Sequence, residues 1–126
     1  VSGEIKFRAW NSMAKKMLHF GNPIGIMDNE DRYGTFFESL EGKMYCGGNY
    51  ELMQFTGLED KNGKEIYEGD IIRYSLDTFG QKGTFICSVM FDRGQFRTER
   101  GTVNGVHLIC EIIGNIYENS ELLATK

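Results

Sequence analysis

The stretch TGLEDKNGKEIYEGDII, residues 56–72, decides the fold. Asn62-Gly63 is the pair that reaches positive φ most cheaply, which predicts a two-residue hairpin turn after a strand over residues 50–55. Two residues beyond Ile66, Glu68-Gly69-Asp70 predicts a second reversal. There the glycine permits a sharp bend and the aspartate accepts backbone N–H groups across it. Ile71, Ile72 and Tyr74 then resume as a strand.

The order apolar-x-x-Gly-Asp-apolar-apolar resembles the diverging turn that opens small SH3-like barrels. Working outward, Ile5, Phe7 and Ala9 alternate with Lys6, Arg8 and Trp10, the period of a half-buried strand over residues 4–10, with Trp10 on the polar side. Asn11-Ser12 reads as a turn into a second strand, residues 16–20, completing an N-terminal hairpin over residues 4–20. Residues 21–48 read as an irregular insertion. Within it Thr35-Phe36-Phe37-Glu38 fits both a helix-opening capping box and a strand.

Downstream, Phe85, Cys87, Val89 and Phe91 share one face and Ile86 and Met90 the other, the pattern of a central strand buried on both sides. Residues 92–95 make a turn into residues 96–99, and residues 101–105 form a loop. Val106, Leu108, Cys110 and Ile112 then alternate inward until Gly114-Asn115 break the strand. Asn119 is placed to cap a last helical turn. These expectations describe one mainly β domain with at most a minor helix: the hairpin, the insertion, a barrel-forming part at 49–118, and a C-terminal turn at 119–126.

Composition supports an ordered, soluble chain. The 126 residues are 40% hydrophobic and 25% charged, with 9 Phe, 6 Tyr and 1 Trp, and one core is within reach of that length. Sixteen glycines against one proline leave the turns mainly to Gly and Asn. The net charge is −4, and neither half forms the basic field of a strong DNA binder. Cys46, Cys87 and Cys110 match no disulfide framework or zinc signature, which points to a reducing compartment. No apolar run approaches the roughly 18 residues of a membrane span, so no membrane partner is expected. Val1-Ser2-Gly3 opens without an initiator methionine and is left out of the fold reading.

Three blocks, IKFRAW (5–10), LMQFTGLEDKNGKEIYEGDII (52–72) and IIGNIYENSELL (112–123), resemble the YopX family, small proteins encoded by bacteriophages and prophages. The resemblance implies a β-rich fold with an SH3-like barrel element, a phage or prophage origin and a bacterial cytoplasmic location. It implies no reaction, because the family carries no established biochemical activity. Two positions depart from the family's pattern, which often has Asp where this chain has Asn11 and Pro where it has Ser120.

Each candidate chemistry has a plainer reading beside it. On a strand, His107 and Cys110 would face opposite sides and could not share a metal ion. Glu68 and Asp70 lie on one side of an extended segment, but a solvated turn does not push two carboxylates to different pKa values. Ser75 and Ser88 lack a nucleophile-elbow context, and no glycine-rich phosphate loop occurs, so no catalytic residue, metal or cofactor is expected. Nucleic acid has the better case: Arg93, Arg97 and Arg100 surround Phe96, as in small barrels that stack single strands on aromatics within a basic groove. The plainer reading is a charged hairpin face. Tyr67 and Tyr74, with Trp10, Tyr50 and Tyr117, offer either a peptide-binding shelf or core edges. The expectation is a non-enzymatic interaction module for a host or phage protein, with weak single-stranded nucleic-acid binding as the alternative. Unpaired strand edges leave homo-oligomers open.

Overall fold

The computed structural model describes residues 5–19, 27–29, 34–38, 44–47 and 50–125. Its elements are strands and two short 3₁₀ helices, so the fold is mainly β. The chain divides into two compact units between Phe55 and Thr56.

In the first unit, β1 (Phe7–Asn11) pairs antiparallel with β2 (Lys16–His19), with Trp10 opposite Met17. The Asn11 side-chain oxygen accepts from the backbone N–H groups of Met13 and Ala14, both at 3.0 Å, and Lys15 completes the turn at φ 57°. A carboxamide therefore supplies the acceptor that an aspartate would supply at this position. Three further strands, β3 (Met27–Asn29), β4 (Gly34–Glu38) and β5 (Met44–Gly47), form an antiparallel sheet in that order. The Thr35-Phe36-Phe37-Glu38 ambiguity thus resolves as strand, and a three-stranded sheet stands within the expected irregular insertion. The remaining positions of 21–48, and Phe20, lie outside the described residues.

β6 (Tyr50–Glu59) pairs with the other side of β1, Ala9 opposite Leu52. Alternation fails on β1: Ala9 is buried as expected, but so are Arg8 and Trp10, at 7% and 5% exposure. Placing Trp10 on the polar side was incorrect, because both faces of the strand are covered.

In the second unit β6 runs on beyond Thr56 and neighbours β7 (Glu65–Tyr67). The turn between them takes five residues, 60–64, rather than two, with Gly63 at φ 80°. Gly69, at φ 85°, makes the next reversal into β8 (Asp70–Thr78). Its N–H donates to the Val89 carbonyl and its own carbonyl accepts from Ile116 N–H, both at 2.8 Å. The Asp70 carboxylate accepts from Tyr67 N–H at 2.8 Å, as expected, but it is 2% exposed, so this turn is not the solvated one read from sequence.

β8 is the central strand of an antiparallel sheet, flanked by β9 (Gln81–Ser88) and β13 (Glu111–Asn115). The strand expected to be central, residues 85–91, breaks at Val89 instead. Val89 N–H donates to the Asp70 carbonyl, and the chain continues as β10 (Met90–Asp92), which pairs with β11 (Gln95–Thr98) and leaves Phe91 half exposed. β11 then pairs with β12 (Gly101–Thr102).

Residues 106–110 are not a strand. The 3₁₀ helix Val103–Gly105 and the turns after it bond Val106 and His107 N–H to the Val103 carbonyl, and Ile109 and Cys110 N–H to the Val106 carbonyl. Leu108 consequently points to solvent at 74% exposure. Ile66, Ile72, Cys87, Val103 and Cys110 are fully buried in the core of this unit, with Phe85 and Phe96 packed against them. Burying each isoleucine contributes roughly 1.5–3 kcal/mol.

β13 contains Gly114-Asn115, paired with Ile71 and Asp70 just past a register shift between Ile112 and Gly114, instead of ending before them. Asn119 does not cap the closing 3₁₀ helix, Ser120–Thr125, with its side chain; its Oδ1 accepts from Asn115 N–H at 3.1 Å. A Cβ on Gly114 would sit 2.5 Å from that oxygen and 2.8 Å from the Asn119 Cβ. Gly114→Ala is therefore expected to cost about 1–3 kcal/mol by overpacking. Thermal denaturation of the single variant and of Gly114→Ala/Asn119→Gly checks the cause, since the alanine's added cost should fall below about 1 kcal/mol once Asn119 is gone.

Candidate functional site

The residues marked out in the sequence for nucleic-acid contact do not converge. Arg93 lies in the β10–β11 turn at φ 53°, its side chain 83% exposed and 3.9 Å from Asp92. Phe96 faces the core and meets Phe91 edge-on, with ring centroids 4.9 Å apart. Arg97, one residue on, belongs to the opposite face of β11, and alternation alone separates it from Phe96. Arg100 places its guanidinium 4.2 Å from the centroid of Phe85, a different ring. Tyr67 and Tyr74 are buried at 4% and 5% exposure, so they complete the core and form no peptide-binding shelf.

What the second unit does assemble is an open groove of about 350 Å³ lined by Thr56, Leu58, Gln95, Phe96, Thr102 and Asn104. Three elements build it. β6 contributes Thr56, whose hydroxyl donates to the Ile66 carbonyl at 2.7 Å and accepts from Leu58 N–H at 3.1 Å, fixing this part of the strand beside β7. β11 contributes Gln95 and Phe96, and the β12 end with its 3₁₀ helix contributes Thr102 and Asn104. Leu58 and Phe96 supply an apolar floor that also packs on the core. Hydroxyl and carboxamide tips stand around it, and every one of them can hydrogen-bond without a net charge. Of these six residues only Phe96 was singled out from sequence. The others come from three separate segments, and nothing in a linear pattern joins them.

Residues 6–124 match the family described as YopX protein. The chain belongs to the YopX family. Among solved structures, it is similar to protein EF1440 from Enterococcus faecalis, with 29% identity, a TM-score of 0.62, and 94% of this chain and 97% of that one covered. It is also similar to protein yopX from Bacillus subtilis, at 21% identity and a TM-score of 0.66 over 94% and 97% of the two chains, which is a likeness of fold. No curated protein matches the chain.

Among the described residues, a few titratable groups of this YopX-family chain are engaged by its backbone, its core or a neighbouring side chain. Asp60, 5% exposed, accepts from the N–H groups of Asn62, Lys64 and Ile112, each at 2.9 Å. Burial pushes its pKa up, but the three bonds together with the Lys64 charge hold the carboxyl below its usual 3.8. Cys110 is pushed up to about 11, first by burial and then by the Asp60 charge, which keeps it an unreactive thiol. The Cys110 Sγ lies 3.7 Å from the His107 carbonyl, and Nδ1 of His107 is 3.1 Å from the Glu59 carbonyl oxygen. Burial likewise raises the Tyr74 hydroxyl. Glu111 is held low by its hydrogen bonds from Arg73, its cross-strand neighbour. Among the described residues no three His, Cys, Asp or Glu side chains gather where they could hold a metal ion, and no helix is long and apolar enough to cross a membrane.

Asp60 was not singled out from sequence, although an Asp two residues before Asn-Gly is a known acceptor pattern for turns. Its depressed pKa contributes stability above the unfolded value of 3.8 that is lost as pH falls through the lower folded value. Asp60→Asn is expected to cost about 1.5–3 kcal/mol at neutral pH, the range for hydrogen bonds to a charged group. Urea denaturation across pH checks the sign: the gap between wild type and Asp60→Asn should narrow below pH 3.8.

Proposed function

We propose that this chain is a phage- or prophage-encoded, non-enzymatic interaction module that works in the bacterial cytoplasm by binding a host or phage protein. In this proposal its 126 residues act as one YopX-like domain around an SH3-like barrel element, with no cofactor. Family membership supports the origin. The observation that carries the binding role is the groove over Leu58 and Phe96, whose rim is made of Thr56, Gln95, Thr102 and Asn104.

That lining suits recognition. An apolar floor takes one side chain of a ligand, and a few placed polar groups fix its orientation. A carboxamide offers both a donor and an acceptor, the complement of a peptide group, so Gln95 and Asn104 match an extended protein segment that lays an apolar side chain on Phe96. Single-stranded nucleic acid is the weaker reading because Arg97 and Phe96 occupy opposite faces of their strand and Arg100 is stacked on Phe85.

Site-specific photo-crosslinking in the bacterial host tests the proposal. A photoreactive residue at exposed Asn104 should yield a discrete protein adduct that is absent when the same residue is placed at exposed Lys64. Gln95→Arg, which crowds the groove from its exposed rim, should reduce the adduct at least about tenfold, equivalent to about 1.4 kcal/mol. A nuclease-sensitive adduct would transfer support to nucleic acid, and no adduct at Asn104 would reject the groove as a binding site.

A further inference from the structure

The chain holds two Asn-Gly pairs, Asn62-Gly63 and Asn104-Gly105. In an exposed loop this dipeptide is chemically short-lived, because glycine leaves its backbone nitrogen uncrowded beside the asparagine carboxamide. Once the Gly63 N–H has given its proton to a base in solvent, the nitrogen can attack Cγ of Asn62. A bond from that nitrogen to Cγ forms, the bond from Cγ to Nδ2 breaks, and Nδ2 takes up protons and departs as ammonia. Water then opens the cyclic imide at either carbonyl, leaving aspartate or isoaspartate. The second product adds a methylene to the main chain.

Asn62 and Gly63 are both exposed, yet every N–H of the turn that carries them is held. Asp60 N–H donates to the Lys64 carbonyl at 2.8 Å, and Lys61 N–H to the Cys110 carbonyl at 3.0 Å. Gly63 N–H donates to the Asp60 carbonyl, also at 3.0 Å. Asn62 and Lys64 N–H both donate to one carboxylate oxygen of Asp60, each at 2.9 Å. The consecutive donors of residues 60–64 are therefore all engaged, and three of them end on Asp60. Asn104-Gly105 lies in the 3₁₀ helix Val103–Gly105, outside this grip.

We infer that Asn62 is a latent modification site, subject to deamidation and isoaspartate formation, and that Asp60 keeps it unreactive. Attack strips the Gly63 nitrogen of its proton and turns it toward Cγ, so it breaks the bond to the Asp60 carbonyl. Nor can the Asn62-Gly63 peptide plane swing by itself, since the Asp60 carboxylate grips the N–H groups on either side of Gly63. Reaction waits on a local opening of the turn, and its rate is the intrinsic rate multiplied by the open fraction. The product is incompatible with the closed turn. Isoaspartate lengthens the main chain between the two N–H groups that Asp60 holds, and it sets a second negative charge two residues from the first.

Peptide mapping by mass spectrometry, after the whole chain is incubated at mildly alkaline pH, tests the inference. Trypsin cleaves after Lys61, so Asn62 is scored apart from position 60. In the folded wild type Asn62 should convert at least about tenfold more slowly than in the same chain unfolded in urea. Asp60→Ala removes the carboxylate and should bring Asn62 close to its unfolded rate. Asp60→Asn, which keeps a neutral acceptor, should fall between the two. Asn104 is the internal standard and should keep its folded rate in both variants. A folded wild type that converts at Asn62 as fast as the unfolded chain would overturn the inference, as would variants whose Asn62 rate stays at the wild-type value. Equal acceleration at Asn62 and Asn104 in both variants would overturn it too, by placing the protection in overall stability rather than in the turn.

Discussion

The second unit depends on a carboxylate that the backbone surrounds. Asp60 sits at the end of β6 and takes two N–H groups from its own turn and a third from Ile112, 52 positions further along the chain. An isolated buried charge would be expelled or neutralised. Here the three donors replace the lost water, and the charge becomes a clamp that fixes where β13 enters the sheet. Lys61 N–H strengthens the same junction by donating to the Cys110 carbonyl at 3.0 Å. Because β13 flanks β8, and β8 pairs with β9, this clamp bears on one edge of the three-stranded sheet.

Asp70 repeats the device one turn later. Its carboxylate accepts from Tyr67 N–H, while Gly69 reaches across to Val89 and Ile116. Asp70, one of the two carboxylates that the sequence offers for acid–base chemistry, is thus engaged by a turn, and Asp60 is held in its charged form by the bonds it accepts. A carboxylate fixed in this way is a poor proton donor at neutral pH, since donation needs a raised pKa rather than a lowered one. The groove over Leu58 and Phe96 is lined instead by hydroxyls, carboxamides and an aromatic ring.

Turn chemistry carried the readable part of the fold. Asn62-Gly63, Gly69-Asp70 and Asn11 each announce a reversal through a local physical need, a positive φ or an acceptor for stranded N–H groups, and each stands where expected. Period-two alternation was less dependable. Val106, Leu108 and Cys110 alternate by coincidence, because successive 3₁₀-like turns bring Val106 and Cys110 to the core while Leu108 points outward. Trp10 and Arg8 defeated the same rule, since alternation assigns two faces to a strand but cannot say that both are covered. Thr35-Phe36-Phe37-Glu38 satisfied two templates at once, and the pairing with β3 and β5, a non-local fact, decided between them.

The surfaces left uncovered were almost illegible for a related reason. Phe79 and Phe85 lie six residues apart on one hairpin and are the same residue type. One is packed against the core and covered by Arg100, while the other is fully exposed. What separates them is how far the core reaches along the hairpin, and that is set by Val103, Cys110 and Ile66 from distant parts of the chain. Likewise Leu58, Phe96 and Asn104 meet only after two turns and a 3₁₀ helix have closed. Local chemistry fixes where a ribbon bends, but the surfaces left uncovered depend on which bends end up adjacent.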